Sequence, residues 1–249
     1  MLQDEKFITI VIDIMNYTDA HCHIITDAPC PDILMGRICN ATNQSEWDKI
    51  SAISDDKQFA CIGIHPWNIE SVTQDWQSDL YDRLAQNPLL MVGEIGIDKY
   101  HNNITAQEEI FITQLKIASE LNRPVHLHCV GAWDKILHIF KVLHKSMPPI
   151  IVAHAFNGDP SIIQQLADQY NVYFSYSTPQ DSKSATRITE TPTSRLLVES
   201  DAYDNDGETE VIETATDAIA HILGQEIDAS AEQIYQNFQK VISYVRPID

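Results

Sequence analysis

The stretch Thr18-Asp19-Ala20-His21-Cys22-His23-Ile24 closes the first apolar segment of the chain. Residues 7–17, which precede it, are rich in apolar and β-branched side chains, and this predicts a buried strand that ends at the stretch. Side chains alternate between the faces of a strand, so we expect His21 and His23 to point to one side and Cys22 to the other. Two imidazoles beside a carboxylate suit a divalent metal ion. The motif alone is weak, because two histidines can also fall near each other at a polar edge without binding a metal ion.

The rest of the chain repeats an alternation of apolar strands with helical or loop segments. The further strands are predicted at residues 36–41, 59–64, 89–94 continuing to 98, 124–129, 150–154, 172–175 and 194–200. Amphipathic helices are predicted at 46–53, 71–84, 105–121, 132–144, 160–170, 211–223 and 230–245. Eight strands in one uninterrupted run predict an α/β fold of the (β/α)8 TIM-barrel type. An open doubly wound sheet is the alternative, but its glycine-rich first turn is missing.

Length and charge restrict the possible functions. The chain has 249 residues, a size at which an α/β barrel is one domain, and we predict a barrel domain at 15–249 after a possible extension at 1–14. The net charge of −20, without a basic stripe, argues against an extended nucleic-acid surface. No apolar run is long enough to span a membrane. Five cysteines without paired spacing, and no secretory signal, predict a cytoplasmic protein with buried thiols.

Histidines and carboxylates collect at the ends of the predicted strands. They are His21, His23, His65, Glu94, His128, His154 and Asp201. In a barrel the carboxyl ends of all strands form one rim, so these side chains converge although they are far apart in sequence. Burying them without partners would be costly, and a purely structural core has no reason to collect them. Their convergence predicts a metal centre that keeps positions open for water and substrate.

Six short motifs in this order resemble the TatD family of metal-dependent hydrolases, in particular a compact bacterial branch. They are residues 19–23 (DAHCH), 63–67 (GIHPW), 92–98 (VGEIGID), 124–129 (PVHLHC), 153–158 (AHAFNG) and 198–201 (VESD). The resemblance covers nearly the whole chain. It implies a barrel with two divalent metal ions that hydrolyses phosphodiesters or related esters.

The resemblance also implies a role for each motif residue. His21 and His23 bind the first metal ion, and His128 and His154 hold the second. Glu94 bridges both ions, and Asp201 holds metal and takes a proton from the attacking water, so these two are the catalytic residues. His65 is a substrate-binding residue on the substrate side of the ions. Zn²⁺, Mg²⁺ and Mn²⁺ are all compatible with such mixed ligands.

Several positions depart from the family pattern and bear on the substrate. Val130 and Gly131 stand where the family commonly has an arginine after strand five, Tyr203 stands in place of a proline, and a later Asn-x-Pro segment is missing. We therefore expect a small or short anionic ester as the substrate, most simply a phosphoester or a short or single-stranded DNA end. The alternatives are an amidohydrolase-like activity on carboxyl esters, aminoacyl esters or C–N bonds, and a metal-bound paralogue without catalysis.

Some residues near the motifs have more than one interpretation. His126 is interpreted as a hydrogen-bonded core histidine in preference to a ligand, and Glu199 as a residue that orients another group. Trp67 and Trp133 are predicted to be packing residues. Five acidic residues after strand eight are expected either on the active-site rim or on a solvated face: Asp204, Asp206, Glu208, Glu210 and Glu213.

Overall fold

Eight parallel strands form a nearly closed barrel in the computed structural model, which describes residues 15–24, 29–53 and 56–246. The strands are β1 (Tyr17–Cys22), β2 (Leu34–Asn40), β3 (Gln58–Ile62), β4 (Met91–Asp98), β5 (Val125–Val130), β6 (Ile151–Ala153), β7 (Val172–Tyr176) and β8 (Leu196–Val198). Each strand pairs in parallel with the next one in sequence. The prediction of a TIM-type barrel is confirmed. The predicted extension at 1–14 lies outside the described residues.

The last strand returns to the first through the residues that follow β8. The Asp201 amide donates a hydrogen bond to the carbonyl of His21 (2.9 Å), and the His23 amide donates one to the carbonyl of Ala202 (2.7 Å). Ser200 adds its own amide and hydroxyl, which both donate to the carboxylate of Asp19. These bonds hold the carboxyl ends of β1 and β8 side by side, so Asp201 lies beside the His21–His23 pair.

Eight α-helices lie along the described part of the chain. They are α1 (Trp47–Ser51), α2 (Trp76–Gln86), α3 (Ile104–Glu120), α4 (Trp133–Leu143), α5 (Ile163–Tyr170), α6 (Ser182–Glu190), α7 (Glu208–Leu223) and α8 (Ile227–Ile242). Four short 3₁₀ helices accompany them, at Gln44–Glu46, Pro66–Ser71, Pro160–Ile162 and Thr193–Arg195.

Two helices differ from the sequence prediction. The helix predicted at 71–84 begins later, at Trp76 in α2, and is preceded by the 3₁₀ helix Pro66–Ser71, which has proline at its first position. Helix α6 was not predicted at all. Its segment is polar and buries a single residue, Ile188, so it contains too few apolar side chains for a helix to be predicted from the sequence. Its start is set by Asp181, whose side chain accepts a hydrogen bond from the Ser184 amide at 2.8 Å.

The apolar core lies mainly between the barrel and its helices. Trp47, Phe111 and Phe140 are fully buried there, and each such side chain stabilises the fold by about 1.5–3 kcal/mol relative to exposure. A smaller cluster contains Ile38 and Phe238. Among the described residues, no helix is both long and apolar enough to cross a membrane.

The acidic residues after β8 do not all lie on the surface, contrary to the sequence expectation. Glu208 is fully buried, and its Oε2 lies 2.9 Å from Nη1 of Arg37, which is also fully buried. The run of acidic residues therefore predicted the wrong location for Glu208, whose carboxylate is paired with Arg37 inside the protein. Asp204, Asp206 and Glu210 are exposed, as a solvated face requires.

Candidate metal centre

All the site residues predicted from the sequence lie together toward the carboxyl ends of the strands, although Glu94 lies inside β4, which continues to Asp98. His21 is in β1, Glu94 in β4 and His128 in β5, whereas the other four follow the ends of their strands: His23, His65, His154 and Asp201. Six of the seven line a cavity of about 150 Å³, and His21 lies fully buried in contact with them. The sequence prediction of a convergent rim site agrees with this arrangement.

Glu94 is the centre of the cluster, and its two carboxylate oxygens face different histidines. Oε2 lies 3.4 Å from Nε2 of His21 and 3.3 Å from Nε2 of His23. Oε1 lies 2.8 Å from Nδ1 of His128 and 3.3 Å from Nε2 of His154. A single carboxylate thus separates two sets of imidazoles, which is the arrangement that a bridging ligand requires.

Two glycines of β4 allow this close packing around Glu94. A Cβ atom on Gly93 would lie 2.7 Å from Cβ of His126 and 2.8 Å from Oδ1 of Asn40. A Cβ atom on Gly96 would lie only 1.8 Å from the carbonyl oxygen of His128. Larger residues would push β4 away from its neighbours, so the glycines let Glu94 reach the middle of the histidine cluster.

Asn40, the last residue of β2, holds the first histidine pair. Its carbonyl lies 3.0 Å from Nδ1 of His23, and its side-chain amide lies 3.2 Å from Nδ1 of His21. These contacts engage the Nδ1 atoms and leave both Nε2 atoms directed at Glu94. The two Nε2 atoms lie 3.4 Å apart.

Carboxylates lie beside the second histidine pair. Oε1 of Glu199 lies 3.3 Å from Nδ1 of His154, and Glu199 also accepts hydrogen bonds from Ser175 and from the Ala155 amide. Oδ2 of Asp98 lies 3.6 Å from Nε2 of His128. A carboxylate behind a histidine fixes its ring and increases its basicity as a ligand. The interpretation of Glu199 as an orienting residue agrees with its contact.

His65 differs from the other histidines because its Nδ1 accepts a hydrogen bond from the Trp67 amide at 3.2 Å. Burial lowers the pKa of His65, which favours the neutral ring although Glu94 acts against it. A neutral ring that accepts at Nδ1 carries its proton on Nε2. Nε2 lies 3.6 Å from Oε1 of Glu94, so His65 presents a hydrogen-bond donor to the cavity. This geometry suits a substrate contact better than a metal ligand.

Asp201 occupies the open side of the cluster. Its Oδ1 lies 3.4 Å from Nε2 of His23, and its side chain is 47% exposed, in contrast to Glu94. Burial raises the pKa of Asp201, but the hydrogen bond with His23 and the nearby His154 and His21 outweigh this and lower it. The residue adopts φ = 55°, a left-handed conformation that is uncommon outside glycine and is often found at functional sites.

Two histidines of the cluster hold protons strongly in the absence of metal. Burial lowers the pKa of His23, but hydrogen bonds with Asp201 and Glu94 outweigh it and raise the pKa from 6.5 to about 10. Burial likewise lowers the pKa of His154, whereas the charges of Glu94 and Glu199 raise it to about 9. The carboxylates therefore attract positive charge to both ends of the cluster, and a cation can supply that charge in place of the protons.

Among the described residues, three donor groups at this cavity have ligand atoms within 4.8 Å of one another. They are His21, His23 and Asp201, then His21, Glu94 and His154, and finally His65, Glu94 and His128. Imidazole and carboxylate donors in this number fit divalent metal ions of the Zn²⁺ or Mn²⁺ type. The division of the ligands between two ions stays a prediction.

His126 lies two residues before His128 in β5. It is fully buried and belongs to none of these groups. Its Nδ1 lies 3.4 Å from Nδ1 of His21. Burial lowers the pKa of His126 well below its ordinary value, so the ring is neutral. These contacts favour the interpretation of a core histidine that supports His21 over that of a metal ligand.

Sequence analysis missed three residues of the site. Asn40 and Asp98 were not assigned, although both end strands that lead to the rim. Trp67 was predicted to be a packing residue, but it is 54% exposed and lines the cavity. The available signal was position: all three lie at or just beyond the carboxyl end of a strand.

Known proteins resemble this chain over most of its length. A sequence model of the family described as TatD related DNase matches residues 18–243. The uncharacterized metal-dependent hydrolase YjjV of Escherichia coli (strain K12) is 27% identical over 213 residues, or 77% of this chain and 81% of the relative. The 3′-5′ ssDNA/RNA exonuclease TatD of Citrobacter koseri is 28% identical over 181 residues, or 67% of each chain. A crystal structure of the TatD homologue YjjV from E. coli has a TM-score of 0.78 at 21% identity, over 92% of this chain and 98% of that one, which supports the fold.

Proposed function

Because this chain belongs to the TatD family of metal-dependent hydrolases, we propose that it hydrolyses phosphoesters, and in particular small phosphodiesters or the ends of short single strands. The observation that carries the proposal is the position of Glu94 between two pairs of histidines, with Oε2 facing His21 and His23 and Oε1 facing His128 and His154. A site that divides its ligands around one carboxylate suits the displacement of one oxygen at phosphorus by another.

The residues that would hold the metal ions are the ones that the resemblance to the family assigns as ligands. By that resemblance His21 and His23 would hold the first, His128 and His154 would hold the second, and Glu94 would be shared between them, with Asp201 as a further ligand on the open side. When bound, the two cations supply Lewis acidity that activates a water molecule and offsets the charge on the ester.

Asp201 and His65 handle the protons and the substrate. Asp201 has a lowered pKa and an exposed carboxylate, so it is ionised at neutral pH and can take a proton from the attacking water at Oδ1. His65 donates from Nε2 to an oxygen of the ester, which helps to orient it. As the water oxygen bonds to phosphorus, the P–O bond to the leaving group breaks and that oxygen departs with the bonding electrons. The proton that Asp201 took from the water can then pass to the departing oxygen.

The size and charge of the site favour a short substrate. The cavity is about 150 Å³, and exposed Asp204 and Asp206 follow Asp201 on the segment that leads to α7. The net charge of −20 further repels a long phosphate backbone. Two relatives have names that support a strand end as the substrate: one is named a 3′-5′ ssDNA/RNA exonuclease and the other a 3′-5′ RNA nuclease. A strand end fits this site better than the interior of a duplex.

The proposal is tested by comparing kcat/KM for a small phosphodiester, a short single strand and a duplex at two salt concentrations. We expect the duplex to be the poorest substrate. Added salt should raise kcat/KM for any long substrate, because screening limits the repulsion between the acidic protein and the phosphates to roughly 8–10 Å. Treatment with a chelator should abolish all hydrolysis, and metal should restore it. Bound metal without turnover on any substrate would instead favour the non-catalytic alternative.

One observation favours a different ester class as the second candidate. Val130 and Gly131 supply no cation where the family commonly has an arginine, and this weakens recognition of phosphate. The same histidine and carboxylate site can activate water for a carboxyl ester, an aminoacyl ester or a C–N bond. A panel of these compounds, assayed beside the phosphodiesters with the same metal-loaded protein, separates the two candidates.

A further inference from the structure

Two large aromatic side chains stand exposed at the mouth of the metal centre. Trp67 is 54% exposed and Tyr203 is 68% exposed, and both line the same cavity as His23, His65 and Asp201. Large aromatic side chains are normally buried, and exposed ones beside polar groups in a cavity are typical of binding sites.

Tyr203 stacks on a histidine of the metal centre. Its ring lies 4.8 Å from that of His23, with an angle of 23° between the planes. The contact covers one face of the tyrosine, so the exposed area includes the other face. Tyr203 is also a departure from the family pattern, since it stands where that pattern has a proline. A flat side chain therefore lies next to the site at a position where the family pattern has a proline.

Trp67 is fixed on another part of the same mouth. Its Nε1 donates a hydrogen bond to Oδ2 of Asp98 at 2.8 Å, and its ring stacks on His101 with centroids 4.7 Å apart. Its ring also meets that of His65 edge to face, at 4.9 Å. A ring held by these contacts offers a rigid surface, which costs little conformational entropy when a ligand binds.

We propose that Tyr203 and Trp67 form an aromatic subsite that stacks on a planar ring attached to the scissile phosphoester, and that this ring is a nucleobase at a strand end. The inference rests on the proposed function and names its substrate class. Stacking on aromatic side chains tolerates every base, since each base has a π-face, and it requires no basic surface. Base stacking therefore supplies the affinity that this acidic protein cannot obtain from a phosphate backbone.

The test compares two phosphodiesters that differ only in the base. One is thymidine 5′-(4-nitrophenyl phosphate), and the other is its abasic counterpart, in which hydrogen replaces the base. The leaving group is the same, so the ratio of kcat/KM measures recognition of the ring. We expect the metal-loaded wild-type protein to prefer the base-bearing ester by roughly tenfold or more, which is within the range of stacking on an aromatic side chain.

Variants assign this preference to the two rings. Tyr203→Leu and Trp67→Leu should each reduce the ratio several-fold, mainly through KM, whereas Tyr203→Phe should keep it. Tyr100→Ala is the matched control, because Tyr100 is 75% exposed but does not line the cavity, and the ratio should not change. An equal rate on both esters, or a ratio that Tyr203→Leu and Trp67→Leu leave intact, would overturn the subsite while leaving the phosphoesterase intact.

A binding measurement keeps the subsite testable if neither ester is hydrolysed. Calorimetry with the zinc-loaded protein compares thymidine 5′-monophosphate with abasic deoxyribose 5′-phosphate. Tighter binding of the nucleotide by about tenfold, lost in Tyr203→Leu, would support the aromatic subsite even if the proposed hydrolysis fails. Equal binding, or no binding of either compound, would overturn it.

Discussion

Oε1 of Glu94 lies 2.8 Å from Nδ1 of His128, the shortest contact between this carboxylate and the surrounding imidazoles. The other oxygen of Glu94 faces His21 and His23. Glu94 thereby links residues of β1 and β5 that share no pairing in the sheet. Glu94 is ionised. Burial raises its pKa, but the charges of His154 and His21 outweigh burial and hold the pKa of Glu94 well below its ordinary value.

Replacement of Glu94 by glutamine should weaken metal binding, because the proposed site shares this carboxylate between two cations. The amide is nearly isosteric but neutral, so it is a poor bridge between two cations. We expect Glu94→Gln to reduce metal content and to lower kcat/KM by at least about 100-fold, since even outer partners of ligands contribute 10–100-fold. Metal analysis and steady-state kinetics measure this, and Glu190→Gln, at an exposed carboxylate, is the control. Normal metal content and rate in Glu94→Gln would rule out the bridge.

Metal binding should release protons and strengthen as the pH rises. Without metal, the pKa of His23 is about 10 and that of His154 about 9, so both rings are protonated at pH 7.5 and must lose protons to bind a cation. Glu94, Asp201 and Glu199 face these rings, and after the protons have left, their negative charges attract the bound cation. Calorimetry in buffers of different ionisation enthalpy counts the released protons. Binding without proton release at pH 7.5 would contradict the assignment.

The same pKa shifts make the stability of the metal-free protein depend on pH. A folded-state pKa above the unfolded value of 6.5 stabilises the fold fully below pH 6.5, and the contribution is lost as the pH rises toward 9–10. We expect the free energy of unfolding without metal to fall across this window, and we expect His23→Gln to flatten the fall. Urea titrations at several pH values measure the effect.

Asp201→Asn separates proton transfer from backbone strain. Asparagine accepts the left-handed conformation that Asp201 adopts at φ = 55°, so the fold should be unchanged. An amide cannot take a proton from water, and we expect kcat to fall by about 10²–10⁴-fold, as is typical of a lost general base. Circular dichroism verifies the fold. A variant with near-normal kcat would show that another group accepts the proton.

The order of strands and the convergence of their ends could be predicted from sequence, because both follow from local patterns. Each strand is an apolar run, and each of the motifs ends one, so the topology of a barrel brings them together without further information. The positions of Glu94 and His154 illustrate this, since each follows an apolar segment that nothing else interrupts.

Contacts that depend on register could not be predicted. Asn40 reaches His21 and His23 only because β2 pairs with β1, with Cys39 opposite Cys22. Asp98 meets His128 because β4 continues past Glu94 for four residues beside β5. A shift of one residue would turn either side chain to the other face. Local sequence does not fix such a register.

His126 should act on metal binding through His21. Its Nδ1 lies 3.4 Å from Nδ1 of His21, so it supports the side of that ring that faces away from Glu94. We expect His126→Phe to fill the same space and to weaken metal binding by about tenfold, at the lower end of the effect of outer partners. Competition with a chromophoric chelator measures the affinity. A complete loss of metal would instead identify His126 as a ligand.

The buried pair of Arg37 and Glu208 provides a test of stability remote from the chemistry. Nη1 of Arg37 contacts both Oε2 of Glu208 and Oδ1 of Asn205, while its Nε and Nη2 donate to Gln58. Arg37→Met leaves the Glu208 carboxylate buried without its cation, and we expect the free energy of unfolding to fall by about 3–5 kcal/mol.

The double variant Arg37→Met/Glu208→Leu removes both charges, so its loss should be smaller than the sum of the two single losses by about 1–3 kcal/mol. Urea denaturation at neutral pH measures all four proteins of this cycle, with the midpoint and the slope compared to verify a common transition. Strict additivity would mean that the two side chains act independently. In that case the contact between Arg37 and Glu208 would contribute nothing to the free energy of unfolding.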